Sequence, residues 1–410
     1  MRQRFLMLSA SMGAGHDAVA GELAGRLRAR GHSVVVEDVL ALLPSGVGAA
    51  LRAGYRGTVR HVPRLYGAVY AAFLAPGPGR GRDTGAVPRP GSAPLAALAE
   101  RPLMRLVETW QPDAVVSTFH LSAQVTGRLR GRQALRVPSV VTVIDFAVHR
   151  GWLHPGNDAH LCVTEGAART ARTVTGRPAE ATGPVVPPHF AGVAEAGAAV
   201  GGGGAGEGGA SGVSGGRGAS GGGTEEGGAG ESGQAWRHEF EALAGGRPAV
   251  LLSAGAWGVG SQLAGTARRL AGHGVFPVLL CGRDERLRRR AAALPGTLAL
   301  GWVGDMAGLM SASRALVDNA AGQTAAQALA AGLPVIGYRP LPGHGAEGLR
   351  EMAAAGLSEL AGDEEELAAA LVGLLRPGPL RDRRVAQGRA LFRADAAQRV
   401  AELASAGVRG

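Results

Sequence analysis

A histidine at the end of a small-residue loop is the first side chain in this sequence that could do chemistry. The loop covers residues 9–16 (SASMGAGH) and lies between an apolar run and a helical stretch, which places His16 at the start of a helix. Imidazoles titrate near neutral pH and can remove a proton from a hydroxyl group. His16 is therefore a candidate general base, and a capping or surface role is the alternative.

The glycines of the same loop leave a second chemistry open. Gly13, Gly15 and Ala18 fit the pattern G-x-G-x-x-A, and Glu37 or Asp38 stands near the end of the next apolar run. This spacing is found in nicotinamide-dinucleotide sites, where glycines let the backbone approach a diphosphate. The spacing supports the hypothesis of an NAD(P)-dependent oxidoreductase. This hypothesis does not explain the two small-residue loops in the second half of the chain.

Two loops in the second half are suited to a diphosphate. Residues 253–261 (SAGAWGVGS) and 319–324 (NAAGQT) each join an apolar run to a helical stretch. Free N–H groups and the helix dipole favour an anion at such places. The sequence contains neither a P-loop nor an Asp-x-Asp pair. We therefore expect a nucleoside-diphosphate ligand whose leaving group is stabilised by N–H donors rather than by a metal.

Histidines and carboxylates also gather in the first half. His120 follows the third apolar run, and residues 145–165 (DFAVHRGWLHPGNDAHLCVTE) hold Asp145, His149, His154, Asp158, His160 and Glu165. Their spacings match no standard zinc motif. A loop with substrate-facing side chains is the interpretation that we prefer to a metal site.

Short apolar runs alternate with helical stretches along both halves, and these elements must position the loops. The runs lack polar alternation, which is typical of parallel strands covered on both faces. They cover residues 5–8, 34–36, 114–116, 140–144 and 161–163, and then 249–252, 275–280, 298–300, 315–317 and 335–338. The pattern predicts an α/β fold of two doubly wound Rossmann-like domains that face each other across a cleft.

A glycine-rich stretch separates the two halves. Residues 191–235 hold 20 glycines among 45 residues and almost no bulky apolar side chain. Such a segment cannot bury enough surface to offset its backbone entropy, so we predict a disordered linker. The predicted domains are then residues 1–190 and 236–380, followed by a C-terminal helix within residues 381–410.

Composition narrows the class of protein. The 410 residues are 46% apolar, which is typical of globular domains, and no apolar run is long enough to span a membrane. The N-terminus lacks the pattern of a signal peptide, and the two cysteines, Cys162 and Cys281, lie in apolar runs. We therefore predict a cytoplasmic protein without a disulfide framework.

The formal net charge is +10, and every basic residue is an arginine. The positive charge is distributed unevenly along the chain. Arg52, Arg56, Arg60 and Arg64 recur every four residues within residues 46–74, beside an apolar and aromatic side that Pro63 interrupts. This pattern predicts an amphipathic segment at the inner face of an anionic membrane, or else a helix packed on its own domain. Nucleic-acid binding is not predicted, because aromatic residues are only 4% and no reader motif is present.

Seven motifs in order resemble a known family. They are SASMGAGH, DFAVHRGWLHPGNDAH, GPVVPPHF, SAGAWGVG, GWVGDM, NAAGQTAAQALAAGLPV and YRPLPGHG. Together they resemble the monogalactosyldiacylglycerol synthase-like glycosyltransferases of family 28. The resemblance covers nearly the whole chain except the glycine-rich stretch. It implies a GT-B fold, no cofactor, and inverting, metal-independent transfer of a hexose from a UDP-sugar to a membrane lipid such as diacylglycerol.

The resemblance also implies roles for individual residues. His16 matches the acceptor-side general base, and Asp145 lies beside it. Acceptor-binding residues would be Gly13, Gly15, His120, His149 and Trp152. Donor-binding residues would be Ser253, Gly255, Trp257, Gly258, Val303, Met306, Ala321, Gly322, Gln323, Thr324, Gln327, Gly343 and His344. The final helix, at about residues 380–404, would cross back onto the N-terminal domain.

The sequence departs from the family pattern at three places around the donor. Ala321 stands where the first glycine of the diphosphate loop is usual, and Gln327 stands where a glutamate usually accepts the ribose hydroxyls. An amide in place of that carboxylate loses a charge-assisted hydrogen bond. His344 and Gly348 replace the usual glutamine and asparagine. A degenerate relative that binds UDP or lipid without turnover is therefore the alternative function.

Overall fold

In the computed structural model, two six-stranded parallel sheets organise the chain. The structure describes residues 2–75, 92–191, 229–253, 255 and 263–407. Every strand pair in both sheets is parallel. The predicted α/β class with two doubly wound sheets is confirmed.

The first sheet has the strand order β2-β1-β3-β4-β5-β6. Its strands are β1 (Arg4–Ser9), β2 (Ser33–Asp38), β3 (Ala114–Ser117), β4 (Ser139–Thr142), β5 (Ala159–Cys162) and β6 (Ala179–Ala181). The central strands β3, β4 and β5 are buried at every position, as the lack of polar alternation predicts.

Helices cover both faces of this sheet. They are α1 (Ala14–Ala29), α2 (Val47–His61), α3 (Pro63–Phe73), α4 (Ala93–Trp110), α5 (His120–Gly131) and α6 (Glu165–Thr175). Pro63 begins α3, so the amphipathic segment is divided where the sequence predicts an interruption. Leu23 of α1 packs against one face of the sheet, and Leu103 of α4 packs against the other.

The second sheet has the strand order β12-β11-β10-β7-β8-β9. Its strands are β7 (Ala249–Ser253), β8 (Phe276–Leu280), β9 (Leu298–Leu300), β10 (Ala315–Asp318), β11 (Val335–Tyr338) and β12 (Ser358–Ala361). Its flanking helices are α7 (Ala229–Ala244), α8 (Leu263–Gly272), α9 (Glu285–Ala292), α10 (Met306–Ala312), α11 (Gln323–Ala330), α12 (His344–Ala354) and α13 (Glu364–Leu375).

Sequence patterning missed one edge strand of each sheet. β6 and β12 are three and four residues long and carry Glu180 and Glu359 at half-exposed positions. An edge strand has a neighbour on one side only and is less completely covered, so its sequence need not be a continuous apolar run.

The predicted linker of residues 191–235 is too long at its C-terminal end. Residues 192–228 lie outside the described part of the chain, but α7 begins at Ala229. Trp236, Phe240 and Ala244 recur every fourth residue and pack against the second sheet, and the indole of Trp236 donates a hydrogen bond to Asp305 (3.1 Å). Those tertiary contacts extend the helix into a stretch that composition alone assigns to a linker.

The predicted single helix near residues 380–404 is instead two helices. These are α14 (Pro379–Ala390) and α15 (Ala396–Gly407), separated by a turn at Leu391–Arg393. A Cβ atom on Gly183 would lie 1.9 Å from the carbonyl oxygen of Leu391, so the chain after β6 passes directly against this turn. Ala397 and Val400 of α15 are buried beside α1, which returns the C-terminus to the first sheet.

Candidate active site

His16 lies in the first turn of α1 and has a defined tautomer. Its Nδ1 atom is 3.0 Å from the backbone carbonyl oxygen of Thr118, and this oxygen can only accept a hydrogen bond. Nδ1 must therefore carry the proton. The Nε2 atom retains the lone pair that a general base needs.

The surroundings of His16 favour its neutral form. Burial lowers the pKa of His16 overall, although the charge of Asp145 and the hydrogen bond to Thr118 raise it in part. The edge of the imidazole meets the ring of Phe119 at a centroid distance of 4.8 Å. An uncharged imidazole that is held in place from two sides suits proton abstraction near neutral pH.

Asp145, His149 and Trp152 form a hydrogen-bonded group after β4. The Trp152 indole donates to Asp145 Oδ2 (2.7 Å), and His149 Nε2 lies 3.5 Å from the same oxygen. The Gly151 N–H donates to His149 Nδ1 (3.1 Å), so the proton of a neutral His149 is on the nitrogen that faces Asp145. The resemblance implied that these three residues belong to the acceptor side, and the structure brings them together; their roles stay predictions.

Asp145 carries its negative charge in this group. Burial on its own would raise the pKa of Asp145, but the hydrogen bond from His149 and the electrostatic interactions with His149, His344 and His16 lower the pKa overall. The carboxylate is therefore a fixed negative charge among imidazoles and is suited to stabilise a protonated His16.

His120, the first residue of α5, completes the acceptor-side cluster. Its ring lies 5.2 Å from that of His149, and burial holds its pKa well below the usual range. Within the described residues, no partner hydrogen-bonds to the Nδ1 atom of His120. Gly13 and Gly15 lie at the start of α1, so all of the predicted acceptor-side residues share this region.

The predicted diphosphate loop follows β10. Asp318 accepts hydrogen bonds from the backbone N–H groups of Ala320 (3.0 Å) and Ala321 (2.7 Å), which shapes the loop before α11. Ala321 adopts a left-handed conformation with φ +50°. No side chain of the described residues caps α11 at Gly322, so the first-turn N–H groups, including that of Thr324, are candidates to bind an anion.

The side chain of Gln323 contacts the first half of the chain, and its predicted role toward a diphosphate stays a prediction. Its amide nitrogen donates to the carbonyl oxygen of Val185 (2.9 Å), in the segment that follows the first sheet. A Cβ atom on Gly15 would lie 3.5 Å from the Cβ atom of Gln323. The start of α1 and the start of α11 therefore meet across the cleft, and Gln323 joins the two halves there.

Three further predicted donor segments of the second half can be located in the part of the chain that the structure describes. Ser253 ends β7 and its hydroxyl accepts from the N–H of Gly255 (3.3 Å), while Trp257 and Gly258 lie outside the described residues. Val303 and Met306 pack partly against the core near the start of α10. Gln327 is half-buried in α11. Their roles toward a donor stay predictions.

Gly343 and His344 contact α3, a helix that the sequence did not connect with the donor loops. The Tyr66 hydroxyl group is hydrogen-bonded to His344 Nδ1 at 2.7 Å, and the Tyr70 hydroxyl donates to Glu347. Burial lowers the pKa of His344, opposed in part by Asp145. The aromatic content of residues 46–74 was the only sequence signal for these tyrosines, and it predicted either a membrane segment or a helix packed on its own domain.

The amphipathic segment thus has two apolar faces rather than one. Tyr66 and Tyr70 are buried with Val59 in the contact with the second half, whereas four apolar side chains of the segment remain exposed. Those four are Val62, Leu65, Val69 and Phe73, each with 41–49% of its surface accessible.

Two further observations concern metals and membranes. The described residues contain no group of three or more His, Cys, Asp or Glu side chains arranged to hold a metal ion. No helix in the described ranges is both long and apolar enough to cross a bilayer.

The paired sheets define the class of protein as one with the GT-B fold. MurG of Acinetobacter baumannii has a similar structure, with a TM-score of 0.55 and 15% identity over 99% of this chain and 100% of that one. The glycosyltransferase SnogD from Streptomyces nogalater has a TM-score of 0.56 and 17% identity over 99% and 100% of the two chains. At these identities the likeness concerns the fold.

The sequence comparisons then show which family the chain resembles. Residues 16–186 match the profile of the monogalactosyldiacylglycerol (MGDG) synthase family. The processive diacylglycerol beta-glucosyltransferase of Bacillus subtilis (strain 168) is 22% identical over 286 residues, which are 68% of this chain and 64% of that protein. The enzyme of the same name from Staphylococcus carnosus (strain TM300) is 29% identical over 141 residues, 32% of this chain and 35% of that one. The chain thus resembles monogalactosyldiacylglycerol synthase-like glycosyltransferases, as its motifs predicted, and it spans less than two thirds of the length of these relatives.

Proposed function

We propose that this protein is an inverting, metal-independent glycosyltransferase that moves a hexose from a UDP-sugar to the hydroxyl group of a membrane lipid such as diacylglycerol. The observation that carries the proposal is the tautomer of His16, whose Nε2 lone pair is kept free because Nδ1 donates to Thr118. The relatives that act on diacylglycerol support the acceptor class.

The proposed reaction is a single displacement. His16 Nε2 takes the proton of the acceptor hydroxyl group while its oxygen attacks the anomeric carbon. The bond from that carbon to the diphosphate oxygen breaks, and UDP leaves with the electron pair. Asp145 stabilises the protonated imidazole, and the open N–H groups at the start of α11 stabilise the diphosphate.

The test is release of UDP from a panel of UDP-sugars in the presence of diacylglycerol. We expect His16→Ala to lower turnover by roughly 100-fold or more, the usual contribution of a general base. His238→Ala is the matched control, because that side chain is 82% exposed, and its turnover should equal the wild type. Turnover retained by His16→Ala would exclude the mechanism.

A degenerate relative that binds UDP without turnover is the second candidate. Ala321, Gln327 and Gly348 favour it, since each departs from the family pattern around the donor. A thermal shift with UDP-sugars but no UDP release from any of them would establish this alternative. At a ligand concentration one hundredfold above Kd, the stabilisation is about 2.7 kcal/mol, which such an assay detects easily.

We also propose that the protein works at the cytoplasmic, inner face of an anionic membrane. A groove of about 1020 Å³ between α2–α3 and α9 is lined by six arginines and by one carboxylate, Asp284, which pairs with Arg60 (2.5 Å). In the part of the chain that the structure describes, no carboxylate pairs with Arg64, Arg286 or Arg290. The exposed apolar side chains of α3 stand next to this groove, a combination suited to a lipid surface.

A further inference from the structure

Helix α3 belongs to the first half of the chain but makes polar contacts with the predicted sugar-side loop of the second. Tyr66 contacts His344, the first residue of α12, through a 2.7 Å hydrogen bond. One turn further along α3, the Tyr70 hydroxyl donates to Glu347, one turn further along α12. Two successive turns of each helix are therefore joined.

The same helix is tied to the acceptor cluster. The ring of Tyr70 meets that of His149 edge-on at a centroid distance of 5.8 Å. Arg150 donates from Nε to the carbonyl oxygen of Phe73 (2.6 Å), and its backbone N–H donates to the carbonyl oxygen of Leu74 (3.0 Å). A displacement of α3 would consequently move both sides of the candidate site.

Helix α3 and the predicted donor loop are packed so closely that two glycine positions cannot accept a side chain without a shift of neighbouring atoms. A Cβ atom on Gly67 would lie 2.9 Å from the Cβ atom of Pro342. A Cβ atom on Gly343 would lie 2.8 Å from Cγ of Tyr70. Both distances are shorter than ordinary carbon–carbon contacts, so the glycines are what allow the two backbones to come this close.

Both phenols remain protonated in this setting. Burial raises the pKa of Tyr66, and the charges of its neighbours raise it further. Burial also raises the pKa of Tyr70, followed by its hydrogen bond to Glu347. The hydroxyl groups therefore act as neutral hydrogen-bonding groups throughout the neutral pH range.

We infer that Tyr66 and Tyr70 are positioning residues through which the acceptor half completes the donor site, by holding the sugar-side loop at residues 342–344 in place. The inference rests on the proposed function, because it assigns that loop to the sugar of a UDP-sugar. Neither tyrosine needs to contact the substrate, since each acts through a residue of α12.

The test uses Tyr66→Phe, Tyr70→Phe and the double variant in the full-length protein. Each single variant removes one hydroxyl group and its hydrogen bond to α12, and Tyr66→Phe also removes the hydrogen bond to Tyr55. Loss of the hydrogen bond to α12 should raise the KM for the UDP-sugar roughly 2- to 10-fold. The KM for diacylglycerol should stay at the wild-type value. Tyr338→Phe is the matched control, because Tyr338 is buried in a core cluster that contains no residue of α3.

Hydrogen exchange of the unliganded protein separates this inference from the proposed function. The backbone amides of residues 343–348 should exchange faster in the double variant and not in Tyr338→Phe. A wild type that releases no UDP would refute the proposed function, and the exchange rates would still test the role of the tyrosines. Unchanged exchange overturns the inference, and so does an unchanged KM for the donor in an active wild type.

Discussion

A Cβ atom on Gly348 would lie 2.7 Å from the Cβ atom of Ala321. These are two of the positions at which the sequence departs from the family pattern, and the structure shows that they are in contact. The methyl group of Ala321 fills the space that a side chain at position 348 would need. The residue that fits at position 348 therefore depends on the residue at position 321, and we interpret the two departures as coupled.

This coupling can be measured as a double-mutant cycle. Gly348→Asn alone should lower the free energy of unfolding by about 1–3 kcal/mol, because a side chain is forced into a packed position. Ala321→Gly removes the methyl group, so the double variant should recover at least about 1 kcal/mol of that loss. Denaturant unfolding of the four proteins gives the coupling. Strictly additive effects would show that the two positions are independent.

Asp145 should set the acid limb of the pH profile. Its charge raises the pKa of His16 against the effect of burial, so Asp145→Asn should shift the acid limb of kcat/KM to lower pH and reduce turnover. Trp152→Phe is the control, because it removes a hydrogen bond to Asp145 but keeps the charge. An acid limb that stays in place in Asp145→Asn would show that this carboxylate does not act on His16.

Buried histidines should make the fold sensitive to mild acid. The pKa values of His16, His120, His160 and His344 all lie below the usual 6.5, and that of His160 falls to about 4, mainly through burial. The unfolded chain then binds protons near pH 6.5, where the folded chain does not. Their contribution to stability is complete above pH 6.5 and is lost as the pH falls toward the folded pKa values.

Thermal unfolding at a series of pH values checks this expectation. His160 alone should account for a loss on the order of 2 kcal/mol between pH 6.5 and 5. Carboxylates with lowered pKa values, such as Glu100, titrate below pH 5 and therefore do not contribute to the change in Tm between pH 6.5 and 5. A Tm that is constant from pH 7 to 5 would contradict the prediction.

Gly343 should not tolerate a side chain. Its φ of +82° is strained for other residues, and an added Cβ atom meets the ring of Tyr70. Gly343→Ala should therefore cost about 1–3 kcal/mol of stability. Gly54→Ala is the matched control, because Gly54 lies in helix α2 with no atom within 4 Å of an added Cβ atom, and it should be neutral or stabilising. Equal stabilities of the two variants would contradict the prediction.

The exposed side of α3 should carry membrane binding. A variant with Leu65→Ser, Val69→Ser and Phe73→Ser should bind anionic vesicles several-fold more weakly, because it loses apolar area that can enter the lipid. Wild-type binding should weaken as salt rises from low to physiological levels. Cosedimentation with vesicles measures both effects. Binding that is independent of salt would argue against a role for the arginines.

Patterning along the chain predicted most of the fold because the signal is local. A strand buried on both faces must be continuously apolar, so the central strands of both sheets, such as β3 and β10, were visible in the sequence. The edge strands β6 and β12 were not, since they are short and half-exposed. The start of α7 was also missed, because its helical structure depends on packing against the second sheet.

The residues that the first half contributes to the candidate site could be predicted from the sequence. One contact that the second half makes there could not. His16, Asp145 and His149 stood out because imidazoles and a carboxylate near strand ends are unusual and meet at one edge of a parallel sheet. The sequence placed Gln323 in the predicted diphosphate loop but gave no sign that its amide contacts Val185. That contact joins residues 138 positions apart and leaves no pattern in the sequence.

The sequence by itself determined the two sheets, the small-residue loops at their edges and the histidine that faces the cleft, because these depend on neighbouring residues and on side-chain chemistry. Only the tertiary structure decided that α3 lies between the two halves and that Tyr66 reaches His344, which is 278 residues away. The physical reason is that this contact forms only when one domain packs against the other. The periodicity of a sequence describes neighbouring residues only, so it cannot predict such a contact.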